Sequence, residues 1–208
     1  MHAIITDGSI SKIINYPKRL VIGDVQYPAR IFSVWTVNEL AAIGIIEVTF
    51  DDSKKKDEMY YINTNQTFTY DADAGTVTAT YGDATAKAHA DTLWTAQDET
   101  DGKGTEGEVA TRGLKYNFIK TVKAQAKGLL NQTDWYITRK AEKNTAIPSN
   151  ITTWRDGIRT KQAEMETAIT NASNTPALET LYTYVNTADE GDPVVMERPL
   201  GVFPELGS

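Results

Sequence analysis

Between residues 108 and 130 the apolar side chains recur at helical spacing. Leu114, Phe118, Ile119, Val122, Ala126, Leu129 and Leu130 fall within an arc of about 160° on a helix, and Lys120, Lys123 and Lys127 fall outside it. That pattern demands a core on one side of a long helix. Residues 1–80 show nothing of the kind. Their apolar residues come in short runs rich in Ile, Val, Thr and Tyr, each ended by a turn signal. The chain is therefore expected to be α+β, with a β-rich N-terminal domain holding one short helix, and a helical C-terminal domain.

The expected strands follow from the punctuation. Ile4, Ile5, Ile10, Ile13 and Ile14 flank Asp7-Gly8, a strong hairpin signal. Leu20-Val21-Ile22 precedes a turn at Gly23-Asp24, and Tyr27-Pro28 marks a break. Thr36 with Glu39 three residues later forms a capping box for a helix over 37–43, which Gly44 stops. Strands are expected over 45–50, 59–62, 67–70 and 76–80, with turns at Asn63-Thr64-Asn65 and at 71–75. A polar helix is expected over 83–97, then an acidic hinge over 98–108 containing Gly102, Gly104 and Gly107. Beyond the 108–130 helix, a shorter helix should run to Lys140, another from Ser149 to about Ala172, and a last one over 176–187. In the 149–172 helix, Ile151, Trp154, Ile158, Met165 and Ile169 span only about 60°, a narrow seam that suits contacts between chains. Pro193, Pro199 and Pro204 keep the end extended. The expected domains are 1–82, a polar helix and hinge over 83–108, a helical domain over 109–190, and an extended tail over 191–208.

The residues argue against most chemistry. With no cysteine there is no disulfide, thiolate or cysteine metal site. His2 and His89 lack partners at metal-ligand spacing. Gly102-Lys103-Gly104-Thr105 lacks the upstream glycine of a phosphate loop, and no Gly-x-Ser-x-Gly elbow occurs. The paired carboxylates Asp51-Asp52, Asp71/Asp73 and Asp189/Glu190/Asp192 all sit in polar turns, where nothing shifts them toward acid–base work. Asp71-Ala72-Asp73-Ala74-Gly75 opens like a calcium loop but lacks the closing glutamate. No enzymatic activity and no cofactor or metal are expected. No apolar run is long enough for a membrane helix, and the first residues do not read as a signal peptide, so synthesis in a cytoplasm without membrane insertion is expected. The sequons, including Asn65-Gln66-Thr67 and Asn150-Ile151-Thr152, then read as chance.

Charge is distributed in blocks. The net charge is −7, yet residues 112–161 carry 11 basic and 3 acidic side chains, and residues 162–208 carry 1 basic and 8 acidic. Without a nucleic-acid motif or interleaved aromatics, nucleic-acid binding is not expected. Neutralisation of the basic block by acidic ones, within one chain or between copies, is.

One segment of the basic block is specific in its residues: LLNQTDWYITRKAEKNTAIPSNITTWRDGIRT, residues 129–160. Thr133 can cap the helix that Asp134 opens. Trp135 and Tyr136 are adjacent, so on a helix they face different ways. Arg155 and Arg159, four apart, share a face and could pair with Asp134, Glu142 or the acidic tail. The segment resembles the C-terminal helical segment of many tailed-bacteriophage tail-fibre and tail-fibre-assembly proteins. There an L-x-x-T-D-W-Y-x-x-R run precedes an I-P and a helix carrying Y/W-R-x-x-I/V-R. The stretch IFSVWTVNELAAIGIIEV, residues 31–48, is similar to phage tail proteins as well. The long acidic tail after Asn171 departs from the assembly-chaperone pattern. The resemblance implies a structural virion component of a phage tail or baseplate, connecting or forming tail fibres, with a fibre-assembly chaperone absent from the mature virion as the alternative. It also implies other tail, baseplate or fibre proteins as partners, and self-association, with a trimer favoured because fibres of that kind are commonly trimers. It carries no catalytic residue. The candidate contact residues are Trp135, Tyr136, Arg139, Trp154, Arg155 and Arg159, joined on the extended tail by Val195, Met196, Leu200 and Phe203. Trp135 and Trp154 are expected to be buried, and the tail over 193–206 either to dock on a partner or to pack back on its own domain.

Overall fold

The computed structural model describes residues 1–64 and 66–207. Asn65, on which one turn and one sequon were read, lies outside the described residues. The chain has both strands and helices and is α+β, with a strand-rich N-terminal region and a helical C-terminal one. It divides into two compact units, Met1–Thr85 and Ala86–Ser208.

In the first unit β1 (His2–Thr6) and β2 (Ser9–Ile14) form the expected hairpin. Asp7 and Gly8 both adopt positive φ, as a tight turn matched to strand twist requires. β3 (Leu20–Ile22) and β4 (Val25–Tyr27) form a second hairpin. A helical turn, α1 (Ile31–Val34), follows and was not anticipated; the single expected helix has a short companion. α2 (Val37–Ala42) starts at Thr36 with both halves of the capping box in place. Gly44 stops it at φ +76°, where a Cβ would lie 2.7 Å from the Ile5 carbonyl oxygen.

The remaining strands are β5 (Ile45–Asp51), β6 (Tyr61–Ile62), β7 (Thr67–Asp71), β8 (Thr76–Thr80) and the short β9 (Thr85–Ala86) at the unit boundary. β6 is shorter than the expected 59–62 strand, because Asp57 turns the chain there and accepts the Met59, Tyr60 and Tyr61 N–H groups. The main sheet has the order β2-β1-β5-β8-β7, with β5 and β8 parallel and the other pairs antiparallel. Its ends β2 and β7 approach each other, so the sheet curls. Alternation along the strands splits the core in two. Ala3, Val48, Val77 and Ala79 pack on one face with Phe68 and Tyr70. Ile4, Ile14 and Ile45 pack on the other, under Leu20, Ile31 and Leu40.

The second unit corrects the reading of residues 83–108. No helix covers 83–97. β10 (Thr92–Leu93) instead pairs with β11 (Val109–Thr111), and between them lies only the short α3 (Ala96–Thr100). The stretch has no apolar stripe to hold a helix against a core. The Thr95–Asp98 capping box also starts one only at Ala96. β11 likewise delays the long helix, so α4 (Leu114–Asn131) begins at Leu114 rather than 108. Asp91 ties this corner together by accepting from the Gly113 N–H and the Arg112 guanidinium.

α5 (Asp134–Lys143), α6 (Ser149–Asn171) and α7 (Thr175–Tyr182) complete the helices. α7 ends earlier than residue 187, because the chain turns into β12 (Val185–Asn186), which pairs with β13 (Met196–Glu197). Val122, Met165, Ile169, Leu178 and Leu200 form one core cluster, lined by Leu114, Phe118 and Leu181. Ala126, Trp154 and Ile158 form another with Leu129, Leu130 and Phe203. The narrow seam of α6 is thus spent inside its own unit, against α4 and the C-terminal segment, and is not a surface for another chain. Among the described residues no helix is long and apolar enough to cross a membrane.

Candidate interaction surface

Residues 130–159 fold into α5 and the first half of α6, held together by one buried polar contact. Arg155 reaches from α6 into the α4–α5 corner and is almost wholly buried. Its Nη1 donates to the Leu130 carbonyl at 2.8 Å and to the Thr133 hydroxyl at 2.7 Å. Its Nη2 donates to Asp134 Oδ1 at 2.8 Å. Of the acidic partners open to Arg155, the fold selects Asp134. A planar guanidinium reaches these three acceptors from two separate nitrogens, a spread that the single nitrogen of an ammonium does not have.

Thr133 does not act as the expected helix cap. Its backbone sits at φ −118°, ψ 7°, not extended, so the hydroxyl turns away from the N–H groups of α5. It donates instead to the Leu130 carbonyl and accepts from Arg155. Asp134 in the first turn and Lys140 and Lys143 in the last still complement the helix dipole, and Asn144 ends the helix in the left-handed region. Arg159 makes a solvent-exposed pair with Asp156 of the same helix, at 2.9 Å, rather than reaching the tail.

Trp154 is buried as expected, and its Nε1 donates to the Pro204 carbonyl at 2.9 Å. That bond belongs to a strap. Leu200 is buried in the first cluster and its N–H donates to the Leu181 carbonyl. Phe203 packs against both clusters. Gly157 leaves room for Pro204, whose Cγ would stand 3.3 Å from a Cβ there. The tail from Pro199 to Pro204 therefore packs back on its own unit, with Leu200 and Phe203 as its anchors. Val195 and Met196 are exposed, together with Val194, Tyr184 and Val185 on and around the β12–β13 ribbon.

Trp135 departs from expectation: it is 52 % exposed. Its ring stacks on Tyr136 with centroids 3.7 Å apart. The Arg139 guanidinium lies 4.9 Å from the Trp135 centroid and 5.1 Å from that of Tyr136. Trp135 stands about 100° round α5 from Asp134, so the side of the helix that meets Arg155 is not the side that carries Trp135. The result is a platform of two aromatics and a guanidinium, with Trp135 exposed and Tyr136 and Arg139 half-buried beneath it; Ile137 on the same helix is exposed as well. Cation–π contact orders the long arginine side chain, and the rings have few rotamers to lose on binding. Among the described residues, Arg139, Lys140 and Lys143 meet no carboxylate.

Electrostatic perturbation lies elsewhere in the unit. Asp98 is held at about 2, from an ordinary 3.8, chiefly by the Thr95 hydroxyl and N–H, with Lys103 adding to them. Burial pushes the Tyr182 hydroxyl up, against the pull of nearby Arg198. Asp71, the first residue of the calcium-like run, accepts the Asp73 and Ala74 N–H groups of the β7–β8 turn. Among the described residues no group of three or more metal-ligating side chains converges. Three further exposed apolar residues lie outside the expected contact set, Ile137, Tyr184 and Val185, of which Val185 falls within the helix expected over 176–187 and lies in β12 instead. No family model, no curated protein and no solved structure matches this chain.

Proposed function

We propose that this chain is a non-enzymatic structural component of a phage tail or baseplate, which joins or forms fibres by self-association and docking on other tail proteins. The resemblance of residues 129–160 to tail-fibre and fibre-assembly proteins supports this reading. The observation that carries it is how that run divides its specific residues. Thr133 and Arg155 turn inward and, with the half-exposed Asp134, lock the α4–α5 corner, while the exposed Trp135 stacks on Tyr136 and Arg139 as one ordered platform. A rigid base with an exposed tryptophan ordered by a tyrosine and a guanidinium is what a docking module needs.

The resembled proteins include assembly chaperones, so the reading must be tested against that alternative. Mass spectrometry of purified particles is the test. The chain is expected at a copy number comparable to other tail components. Its absence from particles whose fibres misfold without it would replace the structural reading with the chaperone one.

A further inference from the structure

We infer that the platform on α5 is covered by a second copy of this chain, through the ribbon β12–β13, so that copies associate head to tail. This rests on, and deepens, the self-association in the reading above.

The ribbon exposes apolar side chains on both of its faces: Tyr184, Val185, Val194, Val195 and Met196. So many exposed apolar groups on a short two-stranded ribbon call for a cover. Around it stand Asp189, Glu190, Asp192 and Glu197. Among the described residues none of these four carboxylates meets a cation. The α5 platform is its counterpart, with aromatic rings at Trp135 and Tyr136 and uncompensated charge at Arg139, Lys140 and Lys143.

Charge decides which surface goes with which. The unit pairs part of its basic block with its acidic block internally, as Lys123 with Glu166 and Lys161 with Glu164. Beyond those pairs, α5 carries Arg139, Lys140 and Lys143 against Glu142, and the ribbon carries Asp189, Glu190, Asp192 and Glu197 against Arg198, so one surface is net positive and the other net negative. A platform facing a platform, or a ribbon facing a ribbon, would set like charges against each other. The complementary arrangement is platform to ribbon, which is a heterologous contact and closes into a ring when the rotation allows.

The test uses the full chain and sedimentation velocity over a range of concentrations. One variant disables the platform (Trp135→Glu with Lys140→Glu), and one disables the ribbon (Val195→Lys with Met196→Lys). All four positions are exposed, so circular dichroism should show both variants folded; Lys140→Glu with Lys143→Glu is the second platform variant should the first not fold. The wild type is expected to self-associate, and each variant alone to sediment as a monomer. An equimolar mixture should form a 1:1 dimer and nothing larger, because it retains one working platform and one working ribbon. A wild type that stays monomeric at its highest soluble concentration overturns the inference. So does a ribbon variant that associates like the wild type, or a mixture that stays monomeric. The two readings fail separately: a monomeric chain found in purified particles removes head-to-tail association and leaves the tail assignment, and an oligomer missing from particles does the reverse.

Discussion

Arg155 concentrates the physics of this protein in one side chain. Its removal takes one donor each from the Leu130 carbonyl, which keeps the Thr133 N–H and hydroxyl, and from the Thr133 hydroxyl, and it leaves a void in a buried corner. Arg155→Ala should therefore cost about 2–4 kcal/mol in denaturant unfolding. Arg155→Lys should recover only part of that, since a single ammonium nitrogen lacks the spread of the guanidinium fork. Asp134→Asn should cost less, about 0.5–1 kcal/mol, because Asp134 is half exposed and water replaces much of the contact. That an arginine would pair near Asp134 was legible from the charges. That Thr133 would be its second acceptor was not, because side-chain direction at a helix corner depends on backbone angles that two neighbouring helices impose. Asp98 offers a residue-level test of pH. Its folded value of about 2 lies below the ordinary 3.8, so its stabilisation of α3 is complete above that value. It is lost as the pH falls from there toward 2. Carboxyl-carbon NMR should give a midpoint near 2 for Asp98, with α3 amides protected at neutral pH and fraying only in that acid window.

At the scale of elements, turn and cap chemistry reads reliably where it is local. The Asp7-Gly8 hairpin and the Thr36–Glu39 capping box both form where their residues stand. Thr36→Ala should cost about 1 kcal/mol by removing the acceptor for the Glu39 N–H. Gly44→Ala should cost about 1–3 kcal/mol, from a positive φ combined with a Cβ set against the Ile5 carbonyl. Both are read from the first unit's thermal transition. Elements fixed by distant pairing were not legible in the same way. Residues 83–97 have ordinary helix formers, but Leu93 pairs with Val109, and nothing local in either strand announces the other. The same holds for Val185, which joins β13 instead of continuing α7.

At the scale of the whole chain, the C-terminal segment has two parts with different duties. The strap from Pro199 to Pro204 is core. Leu200→Ala should cost about 2–5 kcal/mol, and hydrogen exchange should place the loss in α4, α6 and α7. Truncation before Pro199 should unfold the second unit, so it says nothing about docking. The exposed part ahead of it is different: at concentrations where the chain is monomeric, Val195→Asp should leave the melting temperature within about 2 °C of the wild type, a change below roughly 0.5 kcal/mol for a surface site.

The α+β class, the two-part order and most of the first unit's turns were determined by the sequence alone, since period, capping and turn residues act over a few positions. Tertiary structure decided which face of the run 129–160 turns inward. Trp154 is buried because α4 and the strap close over it, and Trp135 is left out because Arg155 already fills the inner side of its helix corner. It also turned the narrow seam of α6 from a surface for other copies into an internal one. A helix face cannot announce its partner, and here the partner came from a strap some fifty residues further along the chain, as the Trp154–Pro204 bond shows.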